Sequence, residues 1–556
     1  MDFGTTYTSC FYWNGKDYKK LFGEYQDPFE PTLSVFDGVN WEYGSTAKVQ
    51  LPNSSIKQLC KFVNFKMLLG GIENEVLGSL GYDKYTPREI TKRYLTFILE
   101  EVLDHCPDNK IDKLVVGIPE LWLDAKQTIA AKDCLERILT EIKKEIKDKG
   151  TITEIITESE ATLACAYFAY EYRRRINADF NGNMLVIDYG GGTLDINFCE
   201  ITQGSDAKNK KQTCEINPTK RAGNAKIDSG KHIIGKAGVG YIQSVVNKIV
   251  GNETIENHKR YKLEQDLENA LQKKQSKIKN EFKQWHGAVP DELRNGVFLP
   301  GFYDNQPITY GDLWDVFEEY IISRNDNDGL EAILNEIDRI AQLNDKEYKI
   351  ALTGGFCNFY LTERAVYAHY NIKTNKDIKV KDMNMDDDGR AYAIAKGAAL
   401  VAADEVLIKP TYRYSLGVIK KDRSVYYLAF ICGEEICDQP KYVREPGCDK
   451  NEVFVAGKIP LLYFDSDGKG KFTAQAPDKN YMDKFEMPGD PMKDRFIIGF
   501  SLDKKKTLKL HLQKVKQDSV NWIVDGNAIV HDLPTLVELL YDPNDLVSVG
   551  KMQGRI

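Results

Sequence analysis

The chain has no pair of cysteines spaced as C-x-x-C. Its eleven cysteines are scattered from Cys10 to Cys448, and the closest spacing, Cys432 to Cys437, fits neither a zinc site nor a redox motif. Reduced, structural thiols are expected. No apolar run approaches the roughly 20 residues that span a bilayer, and no basic segment followed by an apolar stretch opens the chain. The expectation is a soluble, cytoplasmic protein with no membrane and no secretion signal. An excess of positive charge is missing as well: 83 acidic against 75 basic residues give a net charge of -8, which argues against a broad nucleic-acid surface. The last stretch, 517–556, is too short for a helical domain.

What is present is alternation of strands and helices over a chain too long for one core, since 556 residues exceed the size at which a single core keeps growing. Thr86, Pro87 and Glu89 predict a capping box with proline at the first helical position, ahead of Ile90, Tyr94, Phe97, Ile98 and Val102 on one face. Leu114 to Pro119 reads as a buried strand stopped by proline, Thr151 to Ile156 as a strand feeding the helix ESEATLACAYFAYEY, and Met184 to Tyr189 as a strand entering a glycine turn. Tyr348 to Gly355 is a strand running into a double glycine, and Gly389 to Ala403 is a small-residue helix. The charged stretch from about 250 to 285 reads as a helix with a solvated face. After a short apolar linker, Glu405 to Pro410, brief alternating strands from Tyr412 to about Lys516 predict a β-sandwich, followed by one helix around Leu533 to Leu540.

Three glycine-punctuated segments carry the chemistry: DFGTT from Asp2 to Thr6, DYGGGTLD from Asp188 to Asp195, and LTGG from Leu352 to Gly355. Glycine lets backbone N–H groups approach a phosphate because it lacks a Cβ and tolerates positive φ. One such loop is weak evidence. Two of the same design, each after a strand ending in Asp, would set Asp2 and Asp188 with the hydroxyls of Thr5 and Thr193 around one triphosphate. Carboxylates beside phosphates call for a hard cation, so Mg²⁺ is implied, with Asp2 and Asp188 as its ligands. Phosphoryl transfer to water needs a positioned water and charge neutralisation. Asp195 is the candidate for the water, Glu158 for a metal-bound water, and Lys66 for the β- and γ-phosphates. The alternative for Glu158 is an acid interacting with a helix N-terminus, and for Lys66 a stem lying on apolar surface.

These residues, with VVGIP, ITESEAT, LVIDYGGGTLDI, LTGG and AIAKGAAL in this order, resemble the nucleotide-binding domain of the DnaK-type, seventy-kilodalton heat-shock chaperones, within the actin-like ATPase superfamily. The resemblance implies an α/β actin-like ATPase domain of two lobes, a duplicated ribonuclease-H-like fold, over 1–404. Lobe I would hold about 1–183 plus 385–404 and lobe II about 184–384. A linker (405–411), a β-sandwich similar to a substrate-binding domain (412–516) and a short tail with one helix (517–556) would follow, with no helical lid. It places Gly4, Thr5, Thr6 and Tyr7 in the first phosphate loop, and Gly190, Gly191, Gly192 and Thr193 in the second. It places Lys66, Glu158 and Asp195 at the γ-phosphate and its water, and Gly354, Gly355, Phe356 and Lys279 at the adenosine. The chain departs from the family pattern at several points. Met1 abuts Asp2 where the family has a longer strand, so that strand is shortened or the true start lies upstream. Phe356 and Asn358 stand for serine and arginine, Ser159 for proline, Gln127 for an interdomain arginine, and Lys409 and Pro410 alter the linker.

Two functions follow. One is a slow ATPase chaperone in which ATP or ADP with Mg²⁺ in the cleft sets the affinity of the β-domain for extended polypeptide, assisted by a co-chaperone or exchange factor. The other is a nucleotide-gated regulatory protein with weak or no turnover and one specific protein partner, which Gln127 and the altered linker favour.

Overall fold

The computed structural model describes residues 1–21, 29–50, 60–69, 74, 85–123, 129–205, 212–224, 227–228, 233–234, 236–251, 253, 255, 257–285, 289–326, 328–343, 346–370, 387–412, 415–419, 425–437, 439–465, 485–502, 508–519 and 521–533. Two five-stranded sheets dominate its first 408 residues. In the first, Asp2–Phe3 turns back antiparallel onto Tyr7–Ser9, which pairs with Glu30–Pro31; on its other side lie Lys110–Ile118 and Thr151–Ser159, both parallel. In the second, Gly182–Tyr189 turns back onto Leu194–Ser205, which pairs with Gln212–Asn224, while Tyr348–Thr353 lies parallel on the other side. Each sheet therefore repeats one plan: a strand ending near an aspartate, a tight turn, an antiparallel return, and a parallel neighbour.

Short-range chemistry sets the helices. Thr86 and Glu89 exchange the reciprocal bonds of a capping box at the start of Pro87–Asp104, whose face of Ile90, Tyr94, Leu95, Ile98 and Val102 is buried against the first sheet. Glu160–Ile176 begins at the cap Ser159 and lies between the sheets. Its Ala161, Leu163, Ala164 and Phe168 share a core with Val115 of the first sheet and Met184, Val186 and Ala351 of the second. Small residues make this possible, and each fully buried Leu or Phe in such a layer is worth about 1.5–3 kcal/mol. The helix Ala393–Ala402 returns to the same layer: Gly397 sits so tightly on the Leu163 carbonyl that a Cβ there would collide with it.

Within the segment over 405–411, expected as a linker, two residues join the second sheet. Leu407–Ile408 pairs in parallel with Glu215 and Ile216, and the Lys409 N–H donates to Ile216 O at 2.8 Å. Beyond it, a three-stranded sheet (Ser415–Ile419, Tyr426–Phe430, Leu461–Asp465) and a six-stranded one around Arg495–Leu502 and Leu508–Asp518 enclose one core that includes Leu416, Val418, Phe430, Ile498, Phe500 and Leu510. This six-stranded sheet runs past the expected boundary at 516, because Asn521–Val524 and Ile529–Asp532 both pair with Leu508–Asp518. Within the stretch expected as a tail, residues 517–518, 521–524 and 529–532 therefore belong to the sheet, and the helix expected around 533–540 falls outside the described residues from 534 onward. None of the eleven cysteines forms a disulfide among the described residues. Among the described residues no helix is long and apolar enough to cross a membrane.

Candidate functional site

The first glycine turn is fixed from both ends. The Met1 amino group donates to Val115 O at 2.7 Å, Gly117 N–H to Met1 O at 2.9 Å, and the Thr32 hydroxyl to Gly4 O at 2.8 Å. The second turn rests on the start of the helix Gly238–Val250, where Val239 N–H donates to Gly191 O at 2.8 Å. The two turns touch. A Cβ on Gly191 would lie 2.9 Å from Thr6 Oγ1, and one on Gly192 would run into Thr5. Glycine is required here by the approach of the opposite loop. Gly354, at φ +85°, closes the third side with its Cα against the Asp188 carboxylate and the Tyr189 carbonyl, while Gly355 faces open space.

Beneath the turns lies a cluster of acids. Glu160, Asp188 and Asp195 offer carboxylate oxygens within 4.8 Å of one another, all three buried. Lys66, held in the turn Phe65–Leu68 and 1% exposed, donates to Glu160 Oε1 at 2.6 Å. Asp195 Oδ1 accepts from Glu120 N–H at 2.7 Å. Asp188 Oδ1 and Asp195 Oδ2 are buried with no hydrogen-bond partner among the described residues. Burial, then the charges of Glu160, Asp195 and Asp2, hold the Asp188 carboxyl well above the usual range. Asp195 is raised by burial and by Glu160, against hydrogen bonds from Thr193 and Glu120. Asp2 is pushed up to about 7 by burial and Glu160, with Lys66 opposing. Four acids against one lysine is a surplus of desolvated negative charge. Two unsatisfied oxygens in an all-oxygen donor set fit a hard divalent cation, which prefers carboxylates and water.

A second charged group flanks the turns. Tyr7 packs on the Phe29 ring at 5.7 Å and hydrogen-bonds to Glu268 of the helix Asn257–Lys273. Tyr261 and Glu264 of that helix meet Lys61 from the strand Cys60–Val63, with the Lys61 ammonium against the Tyr261 ring. Burial pushes Lys61 well below the usual lysine range, with Glu264 and Glu268 opposing. Burial likewise pushes Glu264 up to about 7, with Lys61 and Arg260 opposing. The charged helix therefore has a working face as well as a solvated one.

No protein-family model matches the chain. Over 199 residues, 35% of this chain, it is 26% identical to the chaperone protein DnaK of two strains of Halobacterium salinarum. Part of this chain is distantly similar to DnaK. The matched stretch spans only 27% of the length of those DnaK chains.

The structure brings together Asp2, Thr5, Thr6, Lys66, Asp188, Gly191, Gly192, Thr193, Asp195 and Gly354 from the residues that the DnaK resemblance assigned. Glu158 is not among them. It is half-buried on its strand, in register with Gly117 and through it with Asp2, its Oε1 accepting from Ser159 N–H at 2.8 Å, while Glu160 is the acid of this segment grouped with Asp188 and Asp195. Strand and helix run together at Ser159 without a loop, so the acid that turns inward is the first helical residue. The sign was in the sequence: Ser159 followed by Glu160, with Thr162 three residues on, is a cap with an acid in the first turn. Phe356, expected beside the adenosine, is a core residue packed on Tyr189, Tyr241 and Phe359 at ring distances of 5.0, 5.6 and 5.6 Å. Lys279 lies on the exposed face of Gln275–Phe282, whose inner face is Ile278 and Phe282. Gln127 lies outside the described residues.

Proposed function

We propose that the chain binds ATP with magnesium between its two glycine turns, hydrolyses it slowly to ADP and phosphate, and uses the nucleotide state to set the affinity of its C-terminal sheets for an extended polypeptide. In this reading residues 1–404 form a two-lobed actin-like ATPase domain and 412–532 a β-sandwich. The observation that carries it is the contact of twin threonine-bearing turns over a buried acid cluster with two unsatisfied oxygens. The repeated sheet plan and the partial similarity to DnaK support it further.

Asp188 and Asp2 would hold the magnesium, which would neutralise phosphate charge when bound. The turns supply backbone donors and the Thr5 and Thr193 hydroxyls, Lys66 offers its ammonium to the terminal phosphate, and Asp195 orients the water and accepts its proton. Glu160 holds the Lys66 ammonium in place through its 2.6 Å ion pair. Calorimetry with ATP, with and without Mg²⁺, tests the reading. It predicts binding that needs the metal and is lost in Asp188→Asn; no heat with any adenine nucleotide removes it. The regulatory reading is favoured by the departure of Lys409 and Pro410 from the family linker. Binding of unrelated extended peptides, weakened by ATP, supports the chaperone; capture of one protein partner alone supports the regulator.

A further inference from the structure

Glu120 follows Pro119 at the end of the strand Lys110–Ile118 and is 3% exposed. Its backbone N–H donates to Asp195 Oδ1 at 2.7 Å, and its own carboxylate is held from two sides: Asn197 Nδ2 reaches Oε2 at 3.0 Å, and Arg221 Nε lies 2.9 Å from Oε1. Asn197 Nδ2 also reaches Ser159 Oγ at 3.1 Å and Thr162 Oγ1 at 2.7 Å, the residues that fix the start of the helix carrying Glu160. Both buried acids, Asp195 and Glu160, are thus referenced to one group.

The other end of that group leaves the site. Arg221 is paired in register with Asn197 and donates through its second nitrogen to Thr411 Oγ1 at 2.9 Å; the Thr411 hydroxyl donates to Pro218 O at 2.9 Å. Thr411 stands where the paired segment Leu407–Ile408 passes into the C-terminal sheets. It bridges to Glu435, Tyr412 N–H donates to Glu434 O at 2.9 Å, and Ile436 N–H to Pro410 O at 2.8 Å. Gly433 is packed against Thr219 so closely that a Cβ would lie 2.6 Å from its carbonyl.

We propose that Glu120 and Arg221 are positioning residues: a buried ion pair that orients Asp195 on one side and holds Thr411 on the other, so that a change at the acid cluster is felt at the segment 407–411. Buried ion pairs contribute little net stability against apolar substitutes, and their better-attested use is to fix one arrangement. The forked, always-charged guanidinium suits the task because it serves two acceptors at once. Proximity alone does not establish coupling; a double-mutant cycle does.

The nucleotide arm of the test rests on the ATP reading, and the first arm does not. Hydrogen exchange of the amides of 407–409 is measured on the full chain without nucleotide. Asp195→Asn is expected to change their exchange roughly three- to tenfold, and the change is expected to vanish in the Arg221→Gln background. Thr411→Val, which cuts only the outer link, is expected to abolish it equally and serves if Arg221→Gln does not fold. An equal change in every background, or none in the wild type, overturns the proposal. In the second arm Mg·ATP is added: loss of its effect on 407–409 in Arg221→Gln supports the coupling, and an undiminished effect overturns it. If calorimetry finds no ATP binding, the ATP reading falls and the coupling stands or falls by the first arm.

Discussion

Asp188 and Asp195 each carry one buried oxygen without a hydrogen-bond partner among the described residues, and such groups cost about 1–3 kcal/mol unless something satisfies them. Removing the proposed proton acceptor in Asp195→Asn, or the ammonium in Lys66→Ala, is expected to lower single-turnover ATP hydrolysis by roughly a hundredfold or more while Mg·ATP affinity measured by calorimetry changes far less. Glu160→Gln is expected to behave like Lys66→Ala, because it strips the lysine of its counter-charge, whereas Glu158→Gln stays near wild type; the reverse ranking restores the acid expected from sequence. Gly354→Ala forces a side chain onto a φ of +85° against the Asp188 carboxylate, so a loss of about 1–3 kcal/mol in denaturant unfolding is expected together with weakened Mg²⁺ binding. At this scale the sequence was readable where a residue type has one use: glycines packed against a facing loop, aspartates at strand ends. It does not decide between Glu158 and Glu160, because a single residue of strand or helix sets which of two nearby acids turns toward the cluster.

Elements were more legible than their edges. The capping box, the strands over 114–118 and 184–189 and the turn after Tyr189 were found where local chemistry placed them. The segment Leu407–Ile408 was read as a linker because two residues carry no periodicity; only its partner strand makes it a strand. Lys409→Pro deletes the N–H given to Ile216 O, and faster proteolysis of 405–411 is the expected outcome. The charged helix Asn257–Lys273 was likewise read by composition, which cannot see Lys61 arriving from elsewhere. Its Glu264 has a folded value of about 7 against an ordinary 4.5, so the folded state holds the proton more tightly. Stability from this group is therefore greatest in acid and falls as pH rises from about 4.5 to about 7. Glu264→Gln is expected to flatten that part of the curve in thermal unfolding measured between pH 5 and 8.

For the molecule as a whole, ligand binding between two touching turns should register as stability. Mg·ATP at a hundred times its dissociation constant is expected to add about 2.7 kcal/mol, seen as a rise of several degrees in the unfolding midpoint that chelation of the metal removes. The duplicated plan was visible in the paired motifs, but the extension of the six-stranded sheet to Asp532 was not, since Trp522, Ile523 and Val524 are exposed and leave no alternating pattern. The return of Ala393–Ala402 onto Glu160–Ile176 has one more consequence. A nascent chain leaving the ribosome has made its first sheet by residue 159, yet the layer against Leu163 stays uncovered until about 240 further residues have been synthesised. Translation itself then imposes an interval in which a bare alanine-rich surface must be kept from other chains.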